Sequence, residues 1–314
     1  MNWQPGATLD MLRTRAAWLR IIRQFFQGRG VLEVETPVLS PATVPDPNID
    51  SLITHVNQQQ YYLQTSPELY MKRLLAAGSG PVYQVARVFR DGETGRLHNP
   101  EFTLVEWYRP GFDQHELMQE LGKLASALLG YDIEYQLLTY SDLYQDYTGL
   151  DPLHEDWPAL SAYCAANQQS CPQDIEWSAA MDWLMVSVIQ PAMHGWVFVH
   201  DYPASQASLA RLHPENPAVA RRFELFVDGI ELANGFEELT DADEQRQRFE
   251  QENQTRQDNG KAAVILDENM LAALQSGLPE CSGVALGLDR LLMWASRQTE
   301  VAHTMSFTPF STAR

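Results

Sequence analysis

One predicted strand carries a carboxylate among apolar side chains. In the segment EFTLVEWY, alternation along a strand puts Phe102, Leu104, Glu106 and Tyr108 on one face. Glutamate is rarely buried without a partner, so a carboxylate beside two rings and a leucine favours a site that receives an ammonium ion. A strand end near solvent is the alternative, and the pattern alone leaves both interpretations open.

A second pair of carboxylates lies on a predicted hairpin. Asp228 and Gly229 form a two-residue turn signal between the segments FELFV and IELAN. Pairing across this turn places Glu224 and Glu231 on one face as diagonal neighbours, roughly 7–8 Å apart between Cα atoms. Two carboxylates with phosphate oxygens are a usual way to hold Mg²⁺ in an ATP site. Two solvated acids on an outer face are the alternative.

Cationic side chains surround a glycine-containing turn in the segment FRDGETGRLHNPEF, which includes Arg90 and His98. A later segment, GVALGLDR, places small residues just before Arg290. An arginine at the start of a helix would add to a phosphate site. By itself this second signal also fits a surface residue or a salt bridge from Arg290 to Asp289.

Composition limits the class of protein. The 314 residues are 45% hydrophobic and include 22 Lys plus Arg against 41 Asp plus Glu, for a formal net charge of −19. A chain of this length and hydrophobic content can bury a large core, which indicates a folded protein. The excess of acidic over basic residues argues against DNA binding and favours a cationic substrate or partner. The apolar run near residues 183–199 is broken by Gln190, Pro191 and His194, so we expect a cytoplasmic protein that does not enter a membrane.

The elements that position these residues predict an α+β fold with an antiparallel sheet flanked by helices. We expect one domain over residues 1–314, with a helical insertion within 150–195. Ser66 and Pro67 should open a helix as its cap and first residue. PVYQVARVF and EFTLVEWY should pair as an antiparallel hairpin. Other helices are predicted over residues 11–27, 113–129 and within 155–189, and the first of them should bury Leu12, Ala16, Leu19, Ile22 and Phe26.

Taken in order, these segments resemble the catalytic domain of class II aminoacyl-tRNA synthetases, most closely the lysyl type. GVLEVETPVL is similar to the first motif of that class, whose proline, here Pro37, lies at a dimer interface in the family. FRDGETGRLHNPEFTLVEWY resembles the second motif and GVALGLDR the third. PELYMKRL and ELANGFEEL are lysyl-like, and the resemblance extends over roughly residues 12–296. It implies a homodimer that uses ATP and Mg²⁺.

The resemblance also implies a role for each candidate residue. Arg90 would contact the α-phosphate and the substrate carboxylate, Phe102 would stack on adenine, and Arg290 would hold the far phosphate. The remaining ATP-binding positions are Glu93, His98, Asn99 and the two Mg²⁺ ligands Glu224 and Glu231. The amino groups of a lysine-like substrate would be held by Glu68, Glu106, Tyr108 and Glu238, and its carboxylate by Asn234. Several carboxylates suit a dication, because a buried ammonium needs paired charge.

Three departures from the lysyl pattern bear on the acceptor. The chain begins just before the first motif, so we expect no N-terminal anticodon-binding domain and no anticodon reading of tRNA. Ala285 stands where the lysyl pattern has glycine, and one added methyl is worth about 1–3 kcal/mol of discrimination, which favours a lysine isomer over α-lysine. Gly92 replaces a glutamate of the second motif, with Glu93 next to it, so the loop must be rearranged if a glutamate still meets adenine.

The resemblance therefore implies adenylation of (R)-β-lysine and its transfer to the ε-amino group of a lysine on elongation factor P. Alternatives are a truncated paralogue that uses α-lysine with tRNA or a small amine, an asparagine-forming paralogue, and a regulatory paralogue without activity. The acidic set around Glu68, Glu106 and Glu238 argues against aspartate as substrate. Retention of both arginines and both metal-ligand positions argues against the regulatory paralogue.

Overall fold

A computed structural model describes residues 3–172 and 175–308 of the chain. The chain forms two compact units, one of Met1–Asp132 with Thr240–Arg314 and one of Ile133–Leu239. The predicted insertion at 150–195 lies within the second unit, and the single-domain interpretation stays a prediction. Among the helices of the described ranges, none is long and apolar enough to cross a membrane.

The elements follow in chain order. The first unit begins with α1 (Leu9–Gln27), β1 (Leu32–Glu33), β2 (Leu39–Ser40), β3 (Ile53–Val56), β4 (Gln59–Leu63), α2 (Glu68–Ala76), β5 (Val82–Phe89), β6 (Glu101–Pro110) and α3 (Gln114–Leu129). The second unit contains β7 (Tyr135–Thr139), α4 (Tyr140–Thr148), α5 (Trp157–Ala166), α6 (Trp177–Leu184), a π-helical turn (Met185–Ile189), α7 (Gln190–Ala192), β8 (Trp196–Pro203), β9 (Leu212–His213), β10 (Asn216–Val227) and β11 (Ile230–Glu237). The first unit then resumes with α8 (Ala242–Asp258), α9 (Glu268–Gly277), β12 (Cys281–Gly287) and α10 (Leu288–Ala295).

The sheet of the first unit has the order β1-β5-β6-β12, and a small sheet has the order β2-β4-β3. The β5/β6 and β6/β12 pairs are antiparallel, and only the two-residue β1 runs parallel to its neighbour. The predicted hairpin is therefore confirmed. Its register pairs Gln84 with Glu106 and Glu106 with Ala285, so that these three residues form one row across the sheet on the same face.

Helix α1 covers the other face of this sheet. Thr8 caps it by accepting a hydrogen bond from the backbone N–H of Met11 at 3.2 Å. Phe26 stacks on Tyr83 with ring centroids 4.3 Å apart and lies 5.3 Å from the Trp107 ring. The predicted buried face was partly wrong, since Ala16 is exposed. The buried residues are Met11, Trp18, Ile22, Phe25 and Phe26, because the large side chains fill the space under the sheet.

The second unit has a sheet in the order β11-β10-β8-β7, with β9 paired to β10. Strands β10 and β11 form the predicted tight hairpin. Both turn residues have positive φ, 46° at Asp228 and 74° at Gly229, as a type I′ turn requires. Helices α4–α6 pack a core that includes Tyr140, Tyr144 and Phe226. Helix is therefore confirmed over much of 155–189, apart from residues outside the described ranges.

Candidate active-site residues

Glu106 lies in the middle of β6 and is only 2% exposed, so the interpretation as a solvated strand end was wrong. The Ser66 hydroxyl donates to the carboxylate, with distances of 2.9 and 2.8 Å to its two oxygens. The Tyr108 hydroxyl donates to Oε1 at 2.9 Å. A carboxylate that accepts hydrogen bonds in a buried site keeps a fixed orientation for a cation.

Ser66 was predicted only as a helix cap. The structure starts α2 one residue later than expected, at Glu68, whose N–H donates to the Ser66 hydroxyl at 3.0 Å. The same hydroxyl therefore bonds the start of α2 and the carboxylate of Glu106. Sequence reasoning missed this second contact, because the 40-residue separation of Ser66 and Glu106 gives no local signal.

Glu68 carries an internal ammonium partner. The Nζ atom of Lys72 lies 2.8 Å from Glu68 Oε1, one helical turn further along α2, and Lys72 is 0% exposed. A buried lysine is stable only beside such an acid. Glu252 on α8 is a further acid that sequence reasoning missed. Burial raises the pKa of Glu252 to about 8, the charges of Asp46 and Glu68 add to the rise, and Arg248 opposes it.

The arginine of the second motif lies beside the predicted adenine platform. The guanidinium carbon of Arg90 is 5.1 Å from the centroid of the Phe102 ring, and Nη1 is 3.5 Å from Glu93 Oε1. Glu93 thus contacts the arginine despite Gly92 at the motif position. A buried apolar cluster lies on the same face of the sheet as Phe102 and consists of Ala86, Val88 and Leu104. Phe102 and Ala285 pack against this cluster, which we call the apolar floor.

The turn after Arg90 is closed by a bridge between Gly95 and His98, and the side chain of His98 is exposed. Arg290 holds this turn by donating from Nε to the carbonyl oxygen of Leu97 at 3.1 Å. Asn99 is buried, and its amide donates to Glu101 O and accepts from the Thr308 hydroxyl, both at 2.6 Å. Asn99 therefore supports the base of the turn.

Asp289 was the alternative partner for Arg290. It is 2% exposed, accepts a hydrogen bond from Arg15 at 2.5 Å and accepts the backbone N–H of Thr103 at 2.6 Å. These contacts tie the start of α10 to α1 and β6. Asp289 therefore bonds Arg15 and the backbone of Thr103, whereas Arg290 bonds the turn through the carbonyl oxygen of Leu97.

The second unit places Glu224, Glu231 and Asn234 on the β10/β11 hairpin. Phe226 pairs with Glu231 as predicted, but the register then shifts by one residue, and Glu224 pairs with Asn234. The smooth hairpin that we expected was wrong at this point, because a β-bulge separates the two pairs. A bulge re-aims side chains, and here it sets the amide of Asn234 directly opposite the carboxylate of Glu224.

Glu224 is largely shielded, with 13% of its side chain exposed, so a fully solvated acid was the wrong alternative. Burial raises the pKa of the Glu224 carboxyl, Arg222 opposes this rise, and the nearby charge of Glu231 adds to it. Sequence reasoning missed Arg222, which lies two residues before Glu224 on β10. Its Nη2 atom donates to Glu224 Oε1 at 2.5 Å, and its Nε donates to Asn234 Oδ1 at 3.3 Å.

The donor set bears on whether a metal ion fits. Within residues 3–172 and 175–308, no group of three or more His, Cys, Asp or Glu side chains could hold a metal by itself. The carboxylates of Glu224 and Glu231 interact with each other. Mg²⁺ bound by one or two carboxylates together with substrate phosphates needs no larger protein cage, so the residues present fit such an ion. Glu238 directly follows β11, forms a β-bridge with Ala210 and is 1% exposed.

Comparisons with known proteins place the chain in a class. A family model described as tRNA synthetases class II (D, K and N) matches residues 4–310. The chain belongs to this family, which confirms the resemblance drawn from its three motifs and the α+β fold with a mostly antiparallel sheet.

Its curated relatives include proteins named elongation factor P–(R)-β-lysine ligase. One from Mannheimia succiniciproducens is 44% identical over 313 residues, which is 97% of each chain. One from Pectobacterium atrosepticum is 44% identical and one from Salmonella paratyphi B is 46% identical, each over 317 residues, 98% of this chain and 97% of the relative.

Proposed function

We propose that this protein is an ATP-dependent ligase that activates (R)-β-lysine as an adenylate and transfers it to the ε-amino group of a lysine on elongation factor P. The names of relatives at 44–46% identity support this proposal, because they match nearly the full length of the chain. The structural observation that carries it is the buried Glu106, held by Ser66 and Tyr108 and paired across the sheet with Ala285.

In the first step, an oxygen of the amino-acid carboxylate attacks the α-phosphorus of ATP, and pyrophosphate leaves. Arg90 and Arg290 would neutralise charge on the phosphates, while Phe102 and the apolar floor would bind adenine. Glu224 and Glu231 would hold a divalent cation, which we propose is Mg²⁺, and the cation would supply further charge stabilisation of the phosphates. Positioning and electrostatic stabilisation suffice for such a step without a covalent enzyme intermediate.

The amino groups of the substrate would be bound by carboxylates. Glu106 is orientated by two hydroxyl donors, and the carboxylate of Glu68 lies against the ammonium of Lys72, so both side chains have fixed positions in which they would receive an ammonium group of the substrate. Tyr108 and Glu238 complete the proposed set, and Asn234 would donate to the substrate carboxylate. Ala285 would narrow the space beside Glu106, where its methyl group lies on the same face of the sheet.

In the second step, a neutral lysine amine attacks the carbonyl carbon of the adenylate, an amide forms, and AMP leaves with the phosphate oxygen. The amine loses a proton to solvent or to a base in the course of this step. His98 and Glu93 would flank the nucleotide during both steps, and Asn99 would support the turn that carries them.

We also propose a homodimer that works in the cytoplasm. Pro37, the first-motif proline, is exposed, and so are several large apolar side chains in residues 38–56 of the first unit. They are Val38 (40%), Leu39 (39%), Ile53 (56%) and Val56 (41%). Light scattering of the purified protein should give about twice the 35.6 kDa chain mass.

ATP–pyrophosphate exchange tests the proposal with (R)-β-lysine and α-lysine in parallel, followed by transfer assays with elongation factor P and with tRNA(Lys). Exchange should be faster with the β-isomer, and radiolabel should appear on the protein acceptor. Preferred exchange with α-lysine and charging of tRNA would overturn the proposal in favour of an ordinary lysyl activity. Absence of exchange with every amino acid would favour a regulatory paralogue.

A further inference from the structure

Arg222 on β10 contacts two residues to which the proposed function gives different tasks. Its guanidinium donates from Nη2 to Glu224 and from Nε to Asn234, and from Nη1 to the backbone oxygen of Gln206 at 2.7 Å. The guanidinium carbon also lies 4.6 Å from the centroid of the Tyr202 ring. Three directions of donation and one aromatic face fix the group in a single orientation.

The contact with Asn234 determines which end of its amide is available. Oδ1 accepts from Arg222 Nε, so the amide must turn its Nδ2 donors away from the guanidinium. A donor turned this way can meet a carboxylate oxygen of the substrate. A reversed amide would place two N–H groups against the guanidinium and present an oxygen to the anion, and both arrangements are repulsive.

The contact with Glu224 acts on one oxygen of a carboxylate. Oε1 accepts from Nη2, and this bond limits rotation of the carboxylate about its last torsion. The positive charge of the Arg222 guanidinium also offsets part of the negative charge of the Glu224 and Glu231 carboxylates. A fixed carboxylate with reduced charge would bind a divalent ion in one geometry, and less tightly than a pair without the arginine.

We infer that Arg222 is a positioning residue that orients Asn234 toward the substrate carboxylate and Glu224 toward the metal ion. This inference rests on the proposed function for the identity of the amino acid, and on the hairpin geometry for the contacts. The β-bulge makes the arrangement possible, because it brings Asn234 opposite Glu224, and Arg222, two residues away on β10, contacts both.

Steady-state kinetics and metal titration of Arg222→Met and Arg222→Lys test the inference. Lysine keeps the charge but lacks the planar fork, so it cannot bond both partners as arginine does. Both variants should raise the KM for (R)-β-lysine about tenfold or more, and change the KM for ATP by less than about threefold. Arg222→Met should also bind Mn²⁺, followed by its electron paramagnetic resonance signal, more tightly than the parent protein does.

Arg211→Met is the matched control. Arg211 belongs to the same unit and forms an ion pair with Glu237 at 3.2 Å. The Arg211→Met variant therefore measures how the removal of another salt bridge in the second unit changes the KM values and the Mn²⁺ affinity. The control should keep the parent KM values and Mn²⁺ affinity. An unchanged KM for (R)-β-lysine in Arg222→Met, or an Mn²⁺ affinity of this variant that does not exceed that of the parent protein, would overturn the inference.

The outcome separates this inference from the proposed function. If the parent protein shows no exchange with any lysine isomer, the proposed function fails. The Mn²⁺ titration alone then tests whether Arg222 acts on the Glu224 carboxylate. Tighter Mn²⁺ binding by Arg222→Met would then still support the contact with Glu224, and equal or weaker binding would contradict it.

Discussion

Ala285 on β12 pairs directly with Glu106 on β6, so a methyl group and a buried carboxylate lie side by side on one face of the sheet. The lysyl pattern has glycine at this position, and a glycine would leave the space beside the carboxylate open. The β6/β12 pairing therefore places Ala285, which differs from the lysyl pattern, next to Glu106, the acid proposed to bind an amino group of the substrate.

Replacement of Ala285 by glycine should relax selection against α-lysine. Removal of one methyl changes discrimination by about 1–3 kcal/mol, which corresponds to roughly 10- to 200-fold in relative kcat/KM. The ratio of ATP–pyrophosphate exchange rates for the two lysine isomers measures the change. If this ratio stays constant while the variant remains active, Ala285 does not select the substrate.

Replacement of Ser66 by alanine should weaken binding of the amino acid. The change removes the hydroxyl that donates to both oxygens of Glu106, and a hydrogen bond to a charged group is worth about 1.5–3 kcal/mol. The KM for the amino acid should therefore rise by about tenfold or more, with little change in the KM for ATP. Ser79→Ala, at a part-buried hydroxyl that donates to the Gly80 carbonyl, is the control. Equal effects in both variants would contradict a special role for Ser66.

Replacement of Glu224 by glutamine should abolish metal-dependent adenylation with little loss of fold. The neutral amide keeps the shape of the side chain, and burial already raises the pKa of this carboxyl, so the charge is costly to the folded state. Exchange should fall by about 100-fold or more if the residue binds the metal. Thermal unfolding should shift little. A variant that loses its fold would support a structural ion pair with Arg222.

Glu252 should make the stability of the folded protein depend on pH. Its folded pKa is raised to about 8 from an ordinary value of 4.5, so between these values the folded state holds a proton that the unfolded state releases. Stability from this residue is therefore greatest below about pH 4.5 and is lost as pH rises toward 8.

Glu252→Gln should remove this dependence. Relative to the parent protein, the free energy of unfolding of the variant should increase between pH 5 and pH 8 by roughly 1–3 kcal/mol, measured by urea denaturation. Glu250→Gln on the exposed side of α8 is the control and should show no such trend. Parallel pH profiles for the parent and Glu252→Gln would contradict the raised pKa.

Local sequence signals predicted the elements and many of their pairings. The Asp228–Gly229 turn set the first pairs of its hairpin correctly, since two residues with positive φ admit one tight geometry. Helix α3 lies in the range 113–129 predicted for it, and Asp113 and Glu116 form a capping box at its start. The alternation of EFTLVEWY put Glu106 on the right face. These predictions depend on contacts within a few residues, which backbone chemistry determines.

The motifs, taken in order, determined the family, because each one constrains a few positions and three together leave little ambiguity. Only the tertiary structure decided which distant side chains meet at each acid. Ser66 reaches Glu106 across 40 residues, Arg15 reaches Asp289 across 274, and the bulge in β11 shifts Asn234 opposite Glu224. Such contacts depend on how whole elements pack and on a one-residue change of register, and no spacing along the chain encodes either of them.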